Sequence, residues 1–179
     1  MEIRDAVALI RDAVGDGGGV WADLGAGTGT FTRALAETLH DGSTIYAIDA
    51  DVSAVSALHA LAATSSLRVI PLRADLTRRF ELPGLGDALL DGILLANALH
   101  FVSDGASVLA RLGERIRAGG RVVVVEYDQR EASRWVPYPI EASRWPQLAE
   151  SASLSQPAIT ATRRSLYSGV LYAGVAIRA

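Results

Sequence analysis

Apolar positions recur along this chain in two alternating rhythms. Ile3, Val7, Ile10 and Val14 fall at helical spacing among charged residues, so residues 1–14 are predicted to form an amphipathic helix. Asp16, Gly17, Gly18 and Gly19 break it. A short apolar run, Val20–Leu24, then reads as a buried strand, and three glycines at 25, 27 and 29 follow at once. The helical rhythm resumes over 31–40, with Phe31, Leu35 and Leu39 on one face. The pattern then repeats, with strands at 44–48, 67–72, 92–96 and 121–126 and helices at 52–63 and 104–117. Residues 77–90 carry Pro83, Gly84 and Gly86 and read mostly as loop. Pro137 and Pro139 mark another loop, before a helix at 141–152.

Alternating strands and helices argue for an α/β domain with a mostly parallel sheet wound on both faces. Residues 121–126 are apolar throughout their middle, as a strand covered on both faces should be. The last two segments, 157–163 and 169–177, are joined by a turn at 165–168 that is too short for a parallel crossover, so they should run antiparallel. No repeat or linker breaks the pattern, and one domain over 1–179 is the simplest account.

Composition narrows the chemistry. All 17 basic residues are arginine, which excludes a Schiff-base lysine or a phosphate-binding lysine. There is no cysteine, so thiolate nucleophiles and zinc–thiolate sites are excluded too. The 3 histidines, His40, His59 and His100, are far apart in the chain, and no metal site is expected. A net charge of −3 does not suggest a nucleic-acid partner. No apolar run approaches the roughly 18 residues of a membrane span, and the first residues do not resemble a signal peptide, so a cytoplasmic location is expected.

Ligands of open α/β sheets bind beyond the carboxyl ends of the strands. Here those ends are acidic or polar: Asp23 and Gly25 end the first strand and Asp49 the second, and Asp75 follows the third. Asn97 ends the fourth, with His100 just beyond, and Glu126, Tyr127 and Asp128 end the fifth. The glycine segment fails the dinucleotide fingerprint G-x-G-x-x-G in both registers, since position 30 or 32 is threonine, and fits D-x-G-x-G-x-G instead. A pocket with this many carboxylates suits a cation better than a pyrophosphate.

The segment Asp23 to Gly29 resembles the first motif of class I S-adenosylmethionine-dependent methyltransferases. Ile45–Asp49 is similar to their second-strand motif, Arg73–Leu76 to the segment bordering adenine, Asp91–His100 to the fourth-strand motif, and Arg117–Val124 to the lead into the fifth strand. The resemblance covers the chain from about Val20 onward. It implies a seven-stranded sheet with a C-terminal antiparallel hairpin, and S-adenosylmethionine as cofactor. It also implies that Asp23, Gly25, Gly27 and Gly29 border the methionine portion, and that Asp49 accepts from the ribose hydroxyls. Asp75 would reach the adenine amino group, Leu76 would pack near the ring, and Asn97 would stand at the catalytic mouth.

The acceptor is expected to be a small molecule. The fourth-strand motif lacks the N-P-P-Y signature of enzymes that methylate nucleic-acid amines. Only a helix precedes the core, which leaves the acceptor site either open or completed by a second subunit in a homodimer. His100 is the candidate general base, because it lies three residues past Asn97 and imidazole exchanges protons near neutral pH. Packing against Phe101 is the alternative for it. Asp51 is better placed than Asp49 to cap the following helix. The stretch from Tyr127 to Trp145, with Trp135, Tyr138, Arg130, Arg134 and Arg144, reads equally as packing over a sheet edge or as an acceptor-binding wall. Two rival functions remain at this stage: a non-catalytic cofactor-binding module acting in a complex, and an NAD-dependent oxidoreductase.

Overall fold

The computed structural model describes residues 1–165 and 169–179. Helix α1 (Ile3–Val14) precedes a run of β1 (Val20–Leu24), α2 (Thr30–Thr38), β2 (Thr44–Asp49), α3 (Val52–Ala62) and β3 (Arg68–Arg73). Then come β4 (Leu90–Ala96), a 3₁₀ turn at Leu99–Phe101, α4 (Gly105–Gly113) and β5 (Ile116–Asp128). A second 3₁₀ turn (Ala142–Arg144), α5 (Trp145–Ser151), β6 (Leu154–Arg164) and β7 (Val170–Arg178) complete the chain.

The strands form one seven-stranded sheet in the order β3-β2-β1-β4-β5-β7-β6. β1 to β5 pair in parallel, while β7 runs antiparallel to both β5 and β6. The predicted hairpin is present, and its expected turn falls largely outside the described residues. Side chains alternate between two cores. Trp21, Ile45, Leu94 and Val123 face α1, α2 and α3, whereas Ala22, Ile48, Leu95 and Val124 face α4 and α5. This two-sided burial explains the continuous apolar runs. Among the described residues no helix is long and apolar enough to cross a membrane.

Prolines and glycines account for several boundaries. Pro71 and Pro157 sit in β3 and β6, the two edge strands, where a missing N–H can face away from the ladder. The helix expected over 141–152 is split, because Pro146 lies in the first turn of α5 and cannot accept a place deeper in a helix. The helix expected over 104–117 ends at Gly113 instead: Ile116 already pairs with Leu90, so tertiary pairing draws this segment into β5. Asp104 caps α4 by accepting from the Ser107 N–H at 3.0 Å.

Gly29 starts α2 with φ 88°, and a Cβ built there would stand 2.3 Å from Leu61 Cδ1 of α3. Gly29→Ala is therefore expected to cost about 1–3 kcal/mol through a crowded helix contact and a left-handed backbone. Thermal melting of the variant checks this. An unchanged melting temperature would show that α2 and α3 separate without penalty.

Candidate active site

The sheet order reverses between β1 and β4, and the loops after these two strands nearly touch. A Cβ on Gly25 would lie 2.6 Å from Ala98 Cβ, so only glycine permits this approach. Gly25 and Asn97 sit together where two cavities meet. The first, about 260 Å³, is lined by Asp49, Asp75, Leu76, Phe101 and Val102 as well. The second, about 330 Å³, adds Gly27, Tyr127, Arg163 and Arg164, with Glu2 and Asp5 from the start of α1.

Asp49 ends β2 and holds the glycine loop. Its Oδ2 accepts from the Gly27 N–H at 2.8 Å and its Oδ1 from the Asp51 N–H at 2.9 Å. Helix capping falls to Asp51, whose carboxylate accepts from the Ala54 N–H at 2.9 Å. Asp49 thus faces the cavity with lone pairs to spare, since a carboxylate offers about four. Asp75 accepts from the Thr77 hydroxyl and N–H through Oδ1, and these bonds hold its carboxyl below the usual range. Gly27 has φ 55°, and nothing stands within 4 Å of where its Cβ would be, so the loop leaves open space on the cavity side.

Two buried polar atoms at this edge lack hydrogen-bond partners among the described residues. Asn97 adopts a left-handed φ of 54°, and its Oδ1 is buried and unbonded. Asp23 is fully buried beneath the glycine loop; its Oδ2 accepts from the Thr32 hydroxyl at 2.6 Å while its Oδ1 has no partner. Burial pushes the Asp23 carboxyl up to about 7, against the lowering effect of Thr32 and with a further rise from the nearby Asp49 charge. Unsatisfied buried polar atoms are uncommon in native folds, and a pair at a sheet's carboxyl edge points to a ligand.

His100 is next to Phe101 and Tyr127, which line the first and second cavities, and is itself on the lining of neither. It is 2 % exposed, and its Nδ1 is 2.5 Å from Glu126 Oε2. The other Glu126 oxygen accepts from the Leu99 N–H at 3.0 Å and the His100 N–H at 3.2 Å. The imidazole centroid lies 4.5 Å from that of the Phe101 ring and 6.3 Å from that of the Tyr127 ring. No hydrogen bond to Nε2 is formed among the described residues.

The structure therefore assembles Gly25, Gly27, Asp49, Asp75, Leu76 and Asn97 around two joined cavities. Asp23 lies beneath them, Gly29 packs against α3, and His100 stands beside the aromatic rings. Sequence reasoning missed Glu126 as the partner of His100, although its place at a strand end was a signal. It also missed Glu2, Asp5, Arg163 and Arg164, whose meeting depends on α1 packing beside β6; Arg163 Nη2 and Asp5 Oδ2 are 2.7 Å apart. Trp145 is fully buried and donates to the Val175 carbonyl, so it belongs to the core. No cluster of three or more potential metal ligands is found among the described residues.

Residues 22–122 match the family described as methyltransferase domain, and the chain belongs to that family. Comparison with curated protein sequences finds no match. The fold is shared with many solved structures. A SAM-dependent methyltransferase from Aquifex aeolicus aligns with TM-score 0.74 at 16% identity, over 98% of this chain and 90% of the other. The CcbJ methyltransferase from Streptomyces caelestis aligns with TM-score 0.71 at 14% identity, over 99% and 95%. The CurJ carbon methyltransferase aligns with TM-score 0.72 at 20% identity, over 90% of this chain and 49% of that one.

The protein is an S-adenosylmethionine-dependent methyltransferase of class I fold. The residues present fit that cofactor: carboxylates line the cavities, the glycine loop leaves room, and the orphaned Asn97 oxygen can accept a hydrogen bond. The oxidoreductase alternative is set aside.

Proposed function

We propose that this methyltransferase acts on a small-molecule acceptor whose proton must be removed, with His100 as general base and Glu126 as its positioning residue. The observation that carries this reading is the buried His100–Glu126 pair beside Phe101 and Tyr127, which line the two cavities. The cofactor supplies an electrophilic methyl group, and its thioether is the leaving group when the new bond forms. Asp49 holds the ribose hydroxyls, and Asp75 and Leu76 flank the adenine. Asn97 and the glycine loop border the methionine portion. The acceptor's proton passes to His100 Nε2, since Nδ1–H donates to the Glu126 carboxylate and Nε2 is left as an acceptor.

Alignment supplies much of the acceleration in such a displacement, up to about 7–11 kcal/mol. A base is needed in addition for a hydroxyl or an activated C–H, and not for a neutral amine. One relative in fold carries the name carbon methyltransferase, in keeping with an acceptor that must lose a proton. Calorimetry and a turnover screen test the reading. S-adenosylmethionine and S-adenosylhomocysteine are expected to bind and NAD to bind weakly, and hydroxyl or C–H acids are expected among the productive acceptors. Productive turnover of amines alone would remove the base role.

Asp49→Ala is expected to weaken cofactor binding by about 1–3 kcal/mol, the scale of lost charge-assisted hydrogen bonds. The glycine loop loses its anchor on Asp49 at the same time. Titration of the folded variant with S-adenosylhomocysteine checks this, and unchanged affinity would show that Asp49 is not the ribose ligand.

A further inference from the structure

A larger cavity lies outside the two described above. It is a groove of about 530 Å³ bounded by residues 137–140, the start of α4, and α5. Its walls are mixed: Val102, Pro137, Tyr138, Pro139, Ile140 and Leu148 give apolar and ring surface, and Ser103, Gln147 and Ser151 give polar surface. Arg144 is the one charged residue on its lining, and this arginine forms no ion pair among the described residues. The nearby Asp104 carboxylate is turned to the Ser107 amide of its own helix. The contrast is with the first cavity, which carries Asp49 and Asp75 and no arginine; the second carries Glu2 and Asp5 balanced by Arg163 and Arg164. A cationic ligand suits the acidic first cavity, and an anionic one suits the groove.

The groove is tied to the active site. Val102 lines both it and the first cavity. The Tyr138 N–H donates to the His100 carbonyl at 3.0 Å, so one wall of the groove hangs on the backbone of the proposed base. That wall is also held from beneath. The Tyr172 hydroxyl donates to the Ile140 carbonyl at 3.0 Å, and the Ala142 N–H donates to Asp128 Oδ1 at 3.0 Å. Burial, with the carboxylates of Glu126 and Asp128, pushes the Tyr172 phenol well above its ordinary range, so it stays a neutral donor. A groove braced in this way is formed before any ligand arrives, which lowers the ordering cost of binding.

We propose that this groove seats the non-reacting part of the methyl acceptor, a ring-bearing apolar body with one carboxylate held by Arg144. The proposal rests on the functional reading above and names the acceptor class for it. Tyr138 and the two prolines offer flat surfaces for rings, and Arg144 offers a fork that matches a carboxylate.

The test uses 2-naphthoate and its neutral methyl ester as probes. Each is titrated into the isotope-labelled full chain saturated with S-adenosylhomocysteine and followed by amide chemical shifts. The carboxylate is expected to bind about tenfold more tightly than the ester, the scale of a charge-assisted contact. Its shifts are expected at Ser103, Tyr138 and Ile140 and to extend to Leu99–Phe101. Arg144→Ala should erase the preference for the acid, and Leu148→Trp should exclude both probes by filling the groove. Equal binding of acid and ester, an unchanged preference in Arg144→Ala, or shifts confined to other surfaces would each overturn the proposal. The same titrations are run without S-adenosylhomocysteine, whose own affinity is measured separately. Failure of the nucleoside to bind would thus sink the parent reading while the groove's occupancy is still read directly.

Discussion

His100→Ala and Glu126→Gln are both expected to lower kcat by about a hundredfold or more, with S-adenosylhomocysteine affinity nearly unchanged. The glutamine variant is the sharper of the two. Its amide oxygen can still accept from the Leu99 and His100 N–H groups, which Glu126 Oε1 now serves at 3.0 and 3.2 Å. The local turn is therefore preserved. Its amide NH₂ then faces His100 Nδ1, where a carboxylate oxygen now stands 2.5 Å away. An NH₂ donor demands an acceptor at Nδ1, so the imidazole must move its proton to Nε2. The nitrogen assigned to the acceptor then carries a hydrogen and no longer serves as a base, the wrong-tautomer effect known from other catalytic histidines. Steady-state kinetics with a productive acceptor, together with thermal melting, checks the result. A change in kcat of less than about threefold in a folded Glu126→Gln protein would remove the base role. A collapse in cofactor affinity would place the pair in the binding shell.

The second large effect is expected at Asp23, where stability and binding should move in opposite directions. The folded carboxyl titrates at about 7, against 3.8 for the ordinary group, chiefly because it is buried. Between about pH 4 and pH 7 the folded protein holds a proton that the unfolded chain has lost. Stability from this site therefore falls as pH rises through that window, and above about 7 the fold carries a buried charge. Asp23→Asn is expected to raise the melting temperature of the free protein at pH 8 and to change it little at pH 4. The carboxylate also favours a cationic ligand. Cofactor affinity in the parent protein should increase as pH rises through about 7, and the asparagine variant should lose both that dependence and about tenfold in affinity, or ~1.4 kcal/mol. Calorimetric titration and melting at pH 4, 6 and 8 read both effects. Equal melting temperatures at pH 8 would show that Asp23 bears no buried charge in the fold.

Much of this architecture was legible in the sequence, for a physical reason. Each strand is short and apolar, each helix is amphipathic, and alternating the two allows little other than a sheet covered on both faces. In such a sheet the residues just past the strands gather on one edge whatever the strand order. That is why Asp23, Gly25, Asp49, Asp75 and Asn97 were identifiable from position alone. Asp51 was also legible as a cap, because capping is a contact between near neighbours.

What the sequence did not reveal depends on partners distant in the chain. Pairing of β4 with β5 sets Ala96 opposite Val125, so the Asn97 N–H reaches the Val125 carbonyl at 2.8 Å. Glu126, one residue beyond, then meets the 3₁₀ turn that carries His100. A different register would have turned that side chain to the other face of the sheet. Gly29 looked like part of the cofactor loop, and only the packing of α2 on α3 ties it to Leu61. The aromatic stretch was divided by tertiary structure alone: Trp145 fills the core while Tyr138 and Arg144 face a groove. Periodicity determined which elements form and where a ligand edge must lie, because both follow from local geometry. The choice of which polar groups touch was left to register and packing, which bring together residues that no local pattern connects.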